Sequence, residues 1–99
     1  MNVRNQTKTH NGFAIPLQPH TDLGLAMLIA EDEDGHHEPI AVVGTIAEAR
    51  EVAAEDFRSR MRRIEADEDA GICPTQYRLW ARGIDGCYQL ACEFTDVLK

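Results

Sequence analysis

The chain has 99 residues, 43% of them hydrophobic, with 17 acidic against 10 basic side chains and a formal net charge of −7. That is enough for one domain, which would bury roughly 60–65% of its unfolded surface without disulfides or metal. The acidic balance argues against direct binding to a nucleic-acid backbone, which needs a basic face, and favours a basic partner if charge steers association.

No apolar run approaches the roughly 20 residues that span a bilayer. The N-terminal MNVRNQTKTHNG has no apolar stretch of signal type. Cys73, Cys87 and Cys92 are odd in number and form no C-x-x-C, so reduced thiols and a cytoplasmic setting are expected.

Residues 1–22 are polar, carry Pro16 and Pro19, and read as an arm ahead of a single domain over 23–99. Within the arm, Gly12–Leu17 alternates weakly. It is compatible with a short N-terminal strand at a sheet edge, where proline is tolerated.

Leu23–Ala30 and Ile40–Gly44 read as a hairpin around Asp34-Gly35, a dipeptide that favours a type I′ turn. That register sets Ile29 opposite Ile40 and Met27 opposite Val42. Large apolar residues then meet on what is expected to be the helix side. It also sets Glu33 opposite His36 and Glu31 opposite Glu38, all on one face.

Thr45–Glu48 (TIAE) has the form of a capping box. Ile46, Ala49, Ala53, Phe57, Met61 and Ile64 follow at helical spacing and predict one apolar stripe. Gly71 is the expected C-terminal cap and Pro74 prevents continuation, while four carboxylates between Glu65 and Asp69 oppose the helix dipole, so the helix should fray there.

Gln76–Arg82 and Cys87–Phe94 read as a second hairpin around Asp85-Gly86. Tyr77, Leu79 and Ala81 should meet Phe94, Cys92 and Leu90 on the helix side. Arg78 should meet Glu93 on the other. The predicted fold is an α+β two-layer sandwich in the order ββαββ, with antiparallel hairpins packed on one long helix. The order of the hairpins in the sheet is not readable.

Three features bear on function. The tip Ala30–Ile40 (AEDEDGHHEPI) reads as a solvated polar turn without metal. Were it to hold a divalent cation, Glu31, Glu33, His36 and Glu38 would be the ligands. It is no EF-hand, because the glycine falls fourth instead of sixth. Arg58–Arg63 (RSRMRR) reads as a salt-bridged helix surface, with Asp56 and Glu55 at favourable spacing to Arg60 and Arg58.

Trp80, the single tryptophan, should point away from the helix between Arg78 and Arg82, on a face shared with Leu28 and Val43. Such a face is too apolar to stay open to water. Either the arm covers it with Phe13, Ile15 and Leu17, or it meets a second copy or another protein.

These features describe a small acidic, non-catalytic protein-binding module of the inhibitor, antitoxin, immunity or adaptor kind. It would need no cofactor and could act as a homodimer. One alternative is a nucleic-acid mimic that places its acidic tip and Glu65–Asp69 in a basic groove. The other is a small metal-dependent or ligand-binding enzyme using the acidic tip.

Overall fold

A computed structural model describes residues 18–83 and 85–98. The strand expected at Gly12–Leu17, and the covering role considered for Phe13, Ile15 and Leu17, lie outside the described residues. The elements in chain order are β1 (Ala26–Glu31), β2 (His37–Val43), α1 (Ile46–Glu65), β3 (Gln76–Arg82) and β4 (Tyr88–Phe94). All strand pairs are antiparallel and form one four-stranded sheet in the order β2-β1-β3-β4. The fold is α+β, with α1 covering one face of the sheet.

Both hairpin tips are built the same way. In the first, the Gly35 amide donates to the Asp32 carbonyl and the Asp32 amide donates to the His36 carbonyl. Gly35 has φ +86° while Asp34 does not enter positive φ. This is a three-residue loop with its last residue left-handed, not the expected type I′ turn, which needs two positive φ values. The second tip repeats the pattern, with Gly86 bonded to Gly83, Gly83 bonded to Cys87, and Gly86 at φ +87°.

The extra loop residue shifts each ladder by one, and a β-bulge shifts it back. Leu28 pairs with Ala41 but Ile29 pairs with Pro39, leaving Ile40 unpaired. Leu79 pairs with Cys92 but Trp80 pairs with Leu90, leaving Ala91 unpaired. Both bulges lie on the edge strands β2 and β4, where a ladder is easiest to interrupt, and the first adjoins Pro39, which has no amide to donate.

The face assignment of the first hairpin is also corrected. Met27 does pair with Val42, but they lie on the face away from the helix, as does Ile29. The helix side of β1 carries Ala26, Leu28 and Ala30, all at most 1% exposed. In the second hairpin Tyr77, Leu79, Ala81, Cys92 and Phe94 lie on the helix side as expected, while Leu90 moves to the outer face beside Trp80.

The core between α1 and the sheet uses small side chains at its centre. Ala49 and Ala53 of α1 are fully buried with Ala26, Ala30 and Ala81 of the sheet, flanked by Leu28, Leu79, Tyr77 and Phe94. Alanine on both surfaces lets the helix lie close to the strands.

Thr45 caps α1, its hydroxyl accepting from the Glu48 amide at 3.1 Å. The Glu48 carboxylate reaches the Gly44 amide at 2.8 Å, one residue earlier than a standard capping box. At the other end, the Asp67 amide bonds the Ile64 carbonyl and the Glu68 amide bonds the Arg63 carbonyl. Asp67, at φ +59°, takes the left-handed position usual for glycine in a Schellman motif. The helix thus ends at Glu65 with Ala66 as its C-cap, and Asp67, not the expected Gly71, takes the left-handed position after it.

Candidate functional site

The outer face of the sheet has no helix or strand over it among the described residues. Successive pairings carry one row across all four strands: Val42 on β2, Met27 on β1, Trp80 on β3 and Leu90 on β4. Tyr88, paired with Arg82, extends this apolar end. Val42 and Tyr88 are each 54% exposed, and Leu25 is 72% exposed. Met27, Ile29, Trp80 and Tyr88 line a shallow depression of about 370 Å³.

The other end of the same face is polar. Glu31, almost buried, accepts from Gln76 Nε2 at 3.0 Å and lies 3.7 Å from Arg78, with His37 at 3.5 Å. Arg78 also approaches Glu93 at 2.9 Å, as the cross-strand pairing predicts. Of the expected interface residues, Trp80, Arg78 and Arg82 therefore lie on this face. Leu28 and Val43 do not: they are 0% and 3% exposed, under the helix. Met27, Ile29 and Leu90 take their places around Trp80.

The acidic tip does not assemble the expected ligands. The shifted register pairs Glu31 with His37 and Ala30 with Glu38, so Glu31 and Glu38 fall on opposite faces. Glu31 turns to Gln76 and Arg78, Glu38 turns to Arg60, and Glu33 is exposed. The groups that do converge are Asp32, Asp34 and His36, with ligand atoms within 4.8 Å of one another. Asp32 already accepts from the Asp34 and His36 amides and from His36 Nδ1. These bonds close the turn. They raise the His36 pKa, chiefly through the Asp32 side-chain bond, and hold that of Asp32 low against its desolvation.

A second polar cluster contains the expected Asp56–Arg60 pair, but its burial and its other partners were not legible in the sequence. Asp56 and Arg60 continue the helical stripe of Ala49 and Ala53 and point inward. Arg60, 1% exposed, donates from Nε to Asp56 at 2.7 Å and from Nη1 to Glu38 at 3.0 Å, and also bonds the carbonyls of Ala70 and Ile72. The buried Tyr77 hydroxyl donates to the same Asp56 oxygen at 2.6 Å. Burial opposes the charge on Arg60, but its bonds to Glu38 and Asp56 outweigh that and hold it protonated. Burial first, then the bond to Asp56, keeps Tyr77 protonated.

Gly71 makes room for this cluster. It sits at φ +72°, and a Cβ there would lie 2.7 Å from Glu38 Oε1 and 3.0 Å from Arg60 Nη1. The remaining helix arginines behave as a salt-bridged surface, with Arg58 and Arg62 on Glu55 and Arg63 on the Asp69 carbonyl. All three cysteines are free, Cys73 and Cys87 at the surface and Cys92 against the core.

Fold and surface together define a one-helix, four-stranded α+β sandwich whose outer sheet face is apolar at one end and polar at the other. Comparison with protein-family models, curated proteins and solved structures finds no match to this chain. Among the described residues no helix is long and apolar enough to cross a membrane.

Proposed function

We propose that this is a small acidic, non-catalytic protein-binding module of the inhibitor, antitoxin, immunity or adaptor kind, and that it docks through the outer sheet face around Trp80. The observation that supports this is the apolar row Val42–Met27–Trp80–Leu90, crossing the whole sheet on the side away from the helix. A tryptophan ringed by aliphatic side chains, with Arg78 and Arg82 on the same strand face, has the composition of an interface anchor. The polar clusters speak for structural use, because the Arg60 cluster and the Asp32 turn spend their hydrogen bonds on the chain itself. The nucleic-acid mimic is less supported, since Arg58, Arg62 and Arg63 interrupt the acidic surface of α1.

The test compares proteins captured from the native host's extract by the wild-type chain, Trp80→Ala and Trp80→Phe. A partner held by the wild type, lost with Trp80→Ala and regained with Trp80→Phe, while urea melts show all three folded, is the expected result. The same capture by Trp80→Ala, or outright unfolding of that variant, defeats the reading.

A further inference from the structure

We infer that the occupant of the outer sheet face is a second copy of this chain, giving a face-to-face, two-fold dimer. This rests on the reading that the face is a docking surface, and it names the partner.

Charge is the first argument. The molecule carries a net −7, yet the outer face is balanced. Strand alternation and pairing put Glu31 and Glu93 there against Arg78 and Arg82. The acidic groups lie elsewhere, at the hairpin tip, on the exposed side of α1 and along Glu65–Asp69. A basic partner would be drawn to those surfaces and not to this one. Two like-charged copies, in contrast, can approach only where neither presents an excess of charge. The balanced face is that place.

Layout is the second argument. The face is graded along the strands. Val42, Met27, Trp80, Leu90 and Tyr88 occupy the end where β1 begins, and Glu31, His37 and Gln76 occupy the other. An isologous interface must be complementary to itself. A two-fold axis parallel to the strands sets β1 of one copy over β3 of the other, and brings apolar end onto apolar end and polar end onto polar end. The depression beside Trp80 and the exposed Val42 and Tyr88 provide the relief that two such surfaces can interlock.

Area sets the strength. Four strands about 4.8 Å apart and about 23 Å long give roughly 450 Å² in projection, below the roughly 800 Å² of accessible surface each partner buries in a standard interface. Side-chain relief adds to this, so a micromolar dimer is the expectation, not a nanomolar one.

The experiment is sedimentation velocity on the full chain from about 1 to about 300 μM, a range suited to an interface of this size, with Trp80 emission recorded in parallel. The wild type should pass from monomer to dimer, with emission shifting to the blue. Added salt should tighten the dimer by screening the repulsion between two acidic molecules, the reverse of a contact between opposite charges. Val42→Glu, at an exposed position, should keep the fold and weaken dimerisation at least tenfold, as should Trp80→Ala.

A wild type that stays monomeric with solvent-exposed Trp80 emission overturns the second copy and leaves the docking surface for another protein. A monomer with buried Trp80 emission that reddens when residues 1–17 are removed overturns both, because the chain then covers its own face. A dimer that ignores Val42→Glu and Trp80→Ala forms elsewhere and also overturns the inference.

Discussion

Arg60 occupies a helix position where the stripe begun by Ala49 and Ala53 would ordinarily continue with an apolar side chain. Its charge is tolerated because Asp56, Glu38 and the carbonyls of Ala70 and Ile72 all face it. Removing the guanidinium would strand those acceptors, so Arg60→Ala should cost about 3 kcal/mol or more. Arg58→Ala, at an exposed pair with Glu55, should cost under about 0.5 kcal/mol. Urea melts of the two variants decide it, and equal effects would mean that Arg60 is solvated in solution. The Glu38 carboxyl is held below its usual range, first by the Arg60 hydrogen bond. Its contribution is therefore present above the ordinary carboxyl pKa and is lost as pH falls through the lowered one.

At the tip the sign is opposite for His36, whose pKa is raised by its bond to Asp32. Its pairing is full below the ordinary histidine pKa near 6.5 and fades as pH rises through the elevated value. A proton NMR titration should place His36 above that ordinary value, and Asp32→Asn should bring it back down. No change in Asp32→Asn would remove the pair.

At the scale of elements, the pairing of β1 with β3 decides which β1 residues are core. Leu28 is completely buried beneath α1, and its neighbour Met27 lies on the outer face. Leu28→Ala should therefore cost about 2–4 kcal/mol, and Met27→Ala under about 1 kcal/mol in dilute monomer. If Met27→Ala proves the more damaging by equilibrium denaturation, the first hairpin has the opposite face toward the helix. The connection from α1 to β3 depends on the same arrangement. Its carbonyls at Ala70 and Ile72 bind Arg60, and the Thr75 amide bonds the Glu31 carbonyl at 2.8 Å. One buried arginine thus ties helix, edge strand and connecting segment together.

For the molecule as a whole, charge and apolar surface are segregated. The acidic tip and Glu65–Asp69 are solvated, the outer sheet face is balanced, and the Arg60 guanidinium is shielded from salt by burial. Self-repulsion of a −7 chain should then outweigh the exposed pairs of Glu55 with Arg58 and Arg62. Raising sodium chloride from about 10 to about 150 mM should lift the thermal midpoint by a few degrees. A lower midpoint would show that surface ion pairs contribute more than the excess charge subtracts.

Local chemistry was sufficient for several of these features. Thr45 marks the helix start, the carboxylates after Glu65 mark its end, and β3 alternates so cleanly between apolar and polar side chains that Trp80 could be placed outside. The pairs Tyr77–Phe94, Arg78–Glu93 and Leu79–Cys92 were expected from a two-residue turn at Asp85-Gly86, and they hold because the bulge in β4 offsets the extra loop residue. The face of β1 was not legible, because Ala26, Leu28 and Ala30 are as apolar as Met27 and Ile29. Pairing with β3 decided it by setting Leu28 beside the buried Leu79. The expected ligand set at the tip failed for a related reason: a one-residue shift in register sends Glu31 and Glu38 to opposite faces. Arg60 was read as surface because whether a charge can be buried depends on its acceptors. Glu38, Ala70 and Ile72 are far from it in the chain and meet it only once the fold has closed.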